Sequence, residues 1–468
     1  MSSPRKLRKA ILGPDKAATR TLSVSVFAVL LLAPFTSLFA APNLATLTPP
    51  ADDAWVALQP EDVRLLRLPP QAPRPAPEDF RGPGVEALEP GFDYGFSRDV
   101  FWLRLDLQAI PEDDAPRTLF LEIRNSSLSH AEMRVLRKTS GDSNRAADHV
   151  ENQNFTGGRF SDGGPFPHRY IAFPVEVSSQ ESVVILRIAS VETVSFPLRL
   201  YGSRAFREVV QQERFFLGFY YGLLALMFFY NAVLLLAVQE RSYVYYLLYL
   251  ATSTVAQFVL DGLAFEFLTS NPVALLLTKV LSSLSMFAAL QFSRSFLNLS
   301  AYAPRLDRIA NYVALLYPVL GLASALLPAS TSAPWVNRLV LTGALFVLGI
   351  AVHAVLRGPR SARFLLLGWA VFVLSVAGTA ARNLGFLDTG NFGNYLLHYG
   401  SALEIAILSF GLRVRILTLR REKEASERAA LEQRVQLLES YARFVPEEFS
   451  QKLSRPSMAE VQAGDGAA

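Results

Sequence analysis

The sequence predicts a multidomain membrane protein. It comprises an all-β, jelly-roll-like extracytoplasmic domain, a seven-helix transmembrane bundle, and a short cytoplasmic coiled-coil helix. Three observations predict it. Apolar runs of spanning length recur between Phe215 and Leu412. The segment before them alternates apolar and polar residues with a period of two. The segment after them is charged and free of Gly and Pro as far as Arg443.

The chain has 468 residues, of which 51% are hydrophobic and 18% charged. That charged share is low for a soluble protein, and the deficit falls in the apolar runs. Net charge is +4. The basic residues gather beside hydrophobic runs, where they act as topology signals, so no nucleic-acid partner is expected. There is no cysteine. This excludes disulfides, thiolate metal sites and a cysteine nucleophile.

Residues 1–40 read as an export signal. Arg5, Lys6, Arg8, Lys9, Lys16 and Arg20 form a basic leader, Leu22 to Ala40 an apolar stretch, and Ala40 and Ala41 a small-residue cleavage site. An uncleaved anchor would leave the next segment on the same side of the membrane. Residues 41–205 are expected to form the sandwich. Its strands are read at Phe101–Leu107, Thr118–Ile123, Glu132–Leu136, Tyr170–Val177, Val183–Ile188 and Ser195–Tyr201. A proline-rich lead-in covers Pro69 to Pro90, and a polar loop covers Thr139 to Pro167.

The transmembrane domain is placed at 213–412. Its spans are expected near Phe215–Val238, Tyr243–Leu263, Val273–Phe292, Ala310–Leu327, Val336–Leu356, Phe364–Ala381 and Tyr395–Leu412. Each has roughly the 20 residues needed to cross ~30 Å of hydrocarbon. The loops after the first, third and fifth spans carry Arg241; Arg294, Arg305 and Arg308; and Arg357, Arg360 and Arg363. Arg413, Arg415, Arg420, Arg421 and Lys423 follow the seventh. The opposite loops are nearly free of basic residues, with Arg338 and Arg382 at the boundary. The sandwich therefore belongs outside and the C-terminus inside.

Residues 413–445 read as one signalling helix. Leu431, Val435, Leu438, Ala442 and Val445 recur at spacings of four and three, a short a/d seam suited to a homodimer. Pro446 ends it, and 446–468 read as a linker towards an output domain.

Three stretches carry a resemblance. Tyr94-Gly95-Phe96-Ser97 with Trp102-Leu103-Arg104-Leu105 resembles the opening strand of an outer domain. Gly218-Phe219-Tyr220-Tyr221-Gly222, Tyr230-Asn231 and Arg241-Ser242-Tyr243-Val244-Tyr245-Tyr246 resemble the start of a membrane region. Phe444-Val445-Pro446-Glu447-Glu448-Phe449 resembles a linker to a class III nucleotide cyclase. The family is the bacterial seven-transmembrane receptors with diverse intracellular signalling modules. The resemblance implies a receptor whose outer domain binds a carbohydrate and whose helices relay occupancy to a cytoplasmic output. No cyclase catalytic domain follows within the sequence, so no adenylate or guanylate cyclase activity is carried over.

Trp102, Tyr94, Phe166 and Tyr170 are candidates for an aromatic platform under a sugar ring, with core packing as the alternative. Asp261, Lys279 and Glu404 are ionisable residues within or at the edge of spans, where charge is costly and usually partnered. Asp261 and Lys279 are placed to pair; Glu404 lies near the middle of the seventh span with His398 above it. They read either as a polar switch or as static interhelical pairs. The Arg413–Lys423 run fits a topology anchor better than a lipid-binding patch. No catalytic, metal-binding or cofactor-binding constellation emerges, so no enzymatic activity is expected. The competing readings are a transporter or channel with an accessory outer domain, and a truncated cyclase. Spans with few charges and no internal repeat argue against the transporter.

Overall fold

The computed structural model describes residues 46–444 apart from 82–84, 87, 89–91, 112–114, 127, 129, 138–149, 157–158, 161–167, 191–192, 268–270, 328, 360 and 384–392. The export signal, Phe166, Val445 and the linker 446–468 lie outside the described residues.

The outer domain is an antiparallel sandwich. Its strands are β1 (Trp55–Ala57), β2 (Arg64–Leu68), β3 (Val85–Glu86), β4 (Asp93–Phe96), β5 (Val100–Leu107), β6 (Arg117–Ile123) and β7 (His130–Arg137). Then follow β8 (Val150–Thr156), β9 (Arg159–Phe160), β10 (Ile171–Val177), β11 (Ser182–Ala189), β12 (Thr193–Ser195) and β13 (Leu198–Gly202). A four-stranded sheet, β1-β13-β6-β10, faces a seven-stranded sheet, β3-β2-β5-β11-β7-β8-β9, while β12 pairs with β4. Alternation dictates the faces. Phe101, Leu103, Leu105 and Leu107 of β5 enter the main core with Leu119, Leu121 and Ile123 of β6.

The expected Ser195–Tyr201 strand is split in two, because Pro197 cannot donate to a ladder. Pro174 is tolerated in β10 because that strand edges its sheet. The expected polar loop 139–167 contains β8 and β9. The polar sequence of β8, Val-Glu-Asn-Gln-Asn-Phe-Thr, has no apolar alternation to reveal it. It is held by pairing along β7 from His130↔Thr156 to Leu136↔Val150.

The proline-rich lead-in folds over the outer face of the large sheet. Phe80 is buried there with Leu66, Val100, Trp102, Val183 and Ile185. The Arg64 and Arg104 guanidiniums donate to the Phe80 and Pro77 carbonyls at 2.9 and 2.6 Å, fixing the cover.

The helices are α1 (Ser203–Val238), α2 (Arg241–Leu260), α3 (Leu263–Phe267), α4 (Asn271–Leu297), α5 (Leu299–Tyr302), α6 (Pro304–Ala325), α7 (Ala329–Arg357), α8 (Ala362–Asn383) and α9 (Leu396–Phe444). Among the described residues, six contain stretches long and apolar enough to cross a membrane: α1, α2, α4, α6, α7 and α8. The seventh span is the first part of α9, whose apolar character is diluted by His398 and Glu404. Large apolar side chains such as Phe215, Phe219 and Leu226 stay exposed on α1, as lipid-facing residues do. Tyr246, Phe292, Ala351 and Trp369 are buried in the bundle interior.

The first helix starts twelve residues before the expected span, directly after β13. Asp52 closes its N-terminus: its side chain accepts from the Ser203 amide at 3.0 Å, and its carbonyl accepts from the Arg204 and Ala205 amides at 2.9 and 3.0 Å. A Cβ at Gly202 would collide with the Ala51 and Asp52 backbone, so only glycine permits this joint. Phe206 of α1 then stacks on Phe120 of β6 with centroids 4.4 Å apart. The opening turns of α1 thus belong to the sandwich. The seventh span and the signalling helix form one element: α9 runs unbroken for 49 residues.

Candidate functional site

The sandwich meets the bundle through buried charge. Strand β6 runs on into Arg124, and the residues just before β10 are His168, Arg169 and Tyr170. Glu213 on α1 lies between them. Arg124 Nη2 donates to Glu213 Oε1 at 2.7 Å, and Arg169 Nε donates to Glu213 Oε2 at 3.0 Å. Behind this clamp, Glu122 accepts from Arg124 at 3.2 Å and from the Tyr201 hydroxyl at 3.0 Å. Glu122 also bonds His168 Nε2 at 2.9 Å.

All six polar residues of this network are largely enclosed, so each electrostatic contact is stronger than at a surface. Burial alone would raise the Glu122 pKa. The Arg124 charge and the His168 bond outweigh it and hold the carboxyl below its usual value of 4.5. Burial, with Glu122 alongside, pushes the Tyr201 phenol up to about 12.

The aromatic candidates do not form one platform. Trp102 is only 5% exposed, beneath the lead-in, with the Arg187 guanidinium 5.8 Å from its ring. Tyr94 stacks on Phe196 at 5.4 Å and leans on Phe101 at 4.8 Å, against the main core. Tyr170 lies against the Arg169 and Arg124 guanidiniums, 4.2 and 4.9 Å from its ring centroid. Phe166 is outside the described residues. Alternation sends Trp102 and Phe101 to opposite faces of β5, so Trp102 and Tyr94 cannot share a surface.

An aromatic that remains open is Trp55 on edge strand β1. It is 40% exposed, with the Arg199 guanidinium 4.7 Å from its ring. Both line a cleft of about 380 Å³ between the small sheet and the bundle. Gln212, Glu213, Asn394 and Tyr395 line it too, so the cleft touches the clamp and the start of α9. The sequence held no sign of this cleft: β1 is three residues long, and its partners lie over a hundred positions away.

Two of the three intramembrane charges, Asp261 and Glu404, form stations along α9. Asp261, capping α2, bonds His398 Nε2 of α9 at 2.9 Å. It also accepts from the Tyr221 hydroxyl of α1 at 2.5 Å. The expected Asp261–Lys279 pair is therefore replaced: the end of α2 faces α1 and α9, while Lys279 Nζ donates to Ser332 Oγ of α7 at 2.9 Å. Glu404 is fully buried and accepts from the Tyr249 hydroxyl at 2.8 and 2.9 Å. Helix α9 is held at further points by the Tyr246 hydroxyl on the Ile405 carbonyl at 2.8 Å, and by Asn231 on Ser409 at 2.9 Å. Where α9 leaves the bundle, Arg415 donates to Ser242 at 2.8 Å.

These stations connect to the sandwich. Ser126 Oγ donates to the Leu260 carbonyl at 2.7 Å. Gly262, at φ +83°, brings its Cα so close to the Arg169 carbonyl that a Cβ would strike it. The outer domain therefore rests on the turn that carries Asp261. In the seam, Leu431 and Val435 are 64% and 47% exposed in the single chain. The helix continues through Leu438 and Ala442, whose side chains are not among those described.

Comparison with known proteins agrees with this architecture. Residues 213–415 match the model described as 7TM diverse intracellular signalling. Residues 53–202 match the model described as 7TMR-DISM extracellular 2. No curated protein matches the chain. Both matched regions are described for one receptor type and together cover most of the sequence. The chain is a multi-pass membrane protein with an extracellular N-terminal domain, of the seven-transmembrane receptors with diverse intracellular signalling.

Proposed function

We propose that this receptor binds a small polar ligand, of glycan type, in the Trp55–Arg199 cleft and passes occupancy to the cytoplasm as a displacement of α9. The observation that carries the reading is the continuity of α9. One 49-residue helix starts beside the cleft, is held by polar bonds at several depths, and runs on well past Arg415. A rigid helix moves as a unit, so a shift at Tyr399, which also lines the cleft, reaches Val435. The exposed Trp55 face suits an apolar sugar face, and Arg199 and Gln212 supply donors for hydroxyls.

In this reading the protein sits in a bacterial inner membrane with its C-terminus inside. It pairs with a second copy through Leu431, Val435, Leu438 and Ala442, and has no catalytic activity of its own. A cyclase is the kind of output such a helix would align. The marginal seam suits a switch, because a few kcal/mol of ligand bias can shift it.

The test uses the full chain in nanodiscs, with nitroxides on cysteines placed at Val435 in the cysteine-free background. A glycan panel is screened by thermal shift, and hits are repeated with Trp55→Ala and Arg199→Ala. Binding lost in both variants, with a ligand-dependent change in nitroxide spacing, is the expected result. Glycan binding that ignores both variants, or saturation with no change in spacing, refutes the reading.

A further inference from the structure

Within the bundle, a cavity of about 140 Å³ has room for about five water-sized groups. It is lined from α1, α2, α4, α7, α8 and α9, with Tyr220, Tyr249, Thr254, Trp369, Phe372 and Glu404 as its chemically telling walls. Its features are not those of plain packing.

Glu404 is the first. It is completely enclosed, and among the described residues its donor is one neutral hydroxyl, that of Tyr249. An ionised carboxyl so placed is short of positive charge, and intramembrane carboxyls usually face a partner or a wet cavity. The second is Trp369. It is 1% exposed, and its indole Nε1 has no hydrogen-bond partner among the described residues. Thr254 Oγ1 is in the same position. Buried donors are almost always satisfied, so two orphans on one cavity wall point to something in the cavity that accepts from them. The third is the ring set. Tyr220, Tyr249, Trp369 and Phe372 come from three helices and border the same space as the carboxyl.

We infer that this cavity is a binding site for a small organic ammonium ion bearing a hydroxyl or carbonyl oxygen. The carboxyl of Glu404 supplies the countercharge. Aromatic faces attract a desolvated ammonium, tryptophan most strongly. The indole N–H and the Thr254 hydroxyl meet the ligand's oxygen. A metal ion fits poorly: hard cations favour several carboxylate or carbonyl oxygens, whereas the walls offer one carboxyl, and the other side-chain oxygens there are neutral hydroxyls and the Gln257 amide beside the rings. A neutral apolar guest would leave both the carboxyl and the indole N–H unserved. The occupant would touch six helices, including the segment of α9 that carries Glu404, so it would bias the same helix from within.

The experiment measures binding of choline and of ethanolamine to the full chain in nanodiscs, by equilibrium dialysis. The neutral isostere 3,3-dimethylbutan-1-ol serves as control for choline. The expected result is saturable binding of at least one ammonium probe, with the isostere about tenfold weaker than choline or worse. Glu404→Gln should weaken binding about tenfold or more. Trp369→Phe keeps the ring and removes the N–H, and should weaken it several-fold while elution stays monodisperse. Trp55→Ala, in the outer cleft, should leave it unchanged. Equal binding of choline and its isostere, no saturable binding of either ammonium, or full retention in Trp369→Phe would overturn the assignment.

Discussion

Glu213 is the residue whose loss should uncouple the outer domain from the bundle. Its two oxygens each take a charge-assisted bond from a different arginine of the sandwich, at 2.7 and 3.0 Å, and its side chain is largely enclosed. Removing one partner of a buried ion pair costs about 3–5 kcal/mol, mostly through the charge left behind. Glu213→Gln should cost less. Arg124 keeps Glu122 at 3.2 Å, Arg169 keeps the Tyr170 ring at 4.2 Å, and the amide retains one acceptor. The loss should be about 2–4 kcal/mol. Guanidinium unfolding of the full chain in detergent, followed by tryptophan fluorescence, measures it. Hydrogen exchange across Ser203–Glu213 locates it, since loss of protection should begin in these turns of α1. Adding Arg169→Met should cost far less than a second independent lesion, because the pair then leaves together. A loss under about 0.5 kcal/mol, as for a surface pair, or strict additivity would refute the clamp.

Three further outcomes follow from the same geometry. Glu122 has a depressed pKa when folded, so its contribution is complete above the ordinary value of 4.5 and is lost as pH falls through the lower folded value. Melting temperature should therefore fall on acidification below pH 4.5, and the fall should be shallower in Glu122→Gln. Gly262→Ala should destabilise by about 1–3 kcal/mol, because both a left-handed φ and contact with the Arg169 carbonyl oppose a Cβ; an unchanged melting temperature would contradict that. Asp261→Asn should weaken the tie between α2 and α9, whereas Lys279→Met should leave the His398 environment unchanged by NMR, because Asp261 bonds His398.

The features the sequence revealed are those set by local periodicity. The β5 run alternates from Leu103 to Leu107, the β11 run is a short apolar stretch, and both strands lie at the centre of the large sheet. Spans were legible because lipid demands an uninterrupted apolar helix. Strand β8 was not, because a strand next to the sheet's edge, held by main-chain bonds, needs no apolar face. The lead-in was unreadable for a related reason: its anchor on the outer face, Phe80, is buried only once the sheet exists. The buried clamp joins Arg124, Arg169 and Glu213, which are separated by 44 and 89 positions in their pairings, and no spacing rule links them. Asp261 and Glu404 were visible as costly charges. Their partners were not, because the choice between Lys279 and His398 depends on which helices adjoin the end of α2.

In the proposed function, α9 carries the state of the outer domain to a paired cytoplasmic seam. Disulfide crosslinking in native membranes tests it most directly, since the chain has no cysteine of its own. Single cysteines at Val435 and Gln436 are compared in the wild-type and Glu213→Gln backgrounds. The account predicts crosslinking at Val435 over Gln436, with an efficiency at Val435 that changes when the Glu213 clamp is broken. Equal crosslinking at both positions, or a Val435 yield that ignores Glu213→Gln, would contradict it.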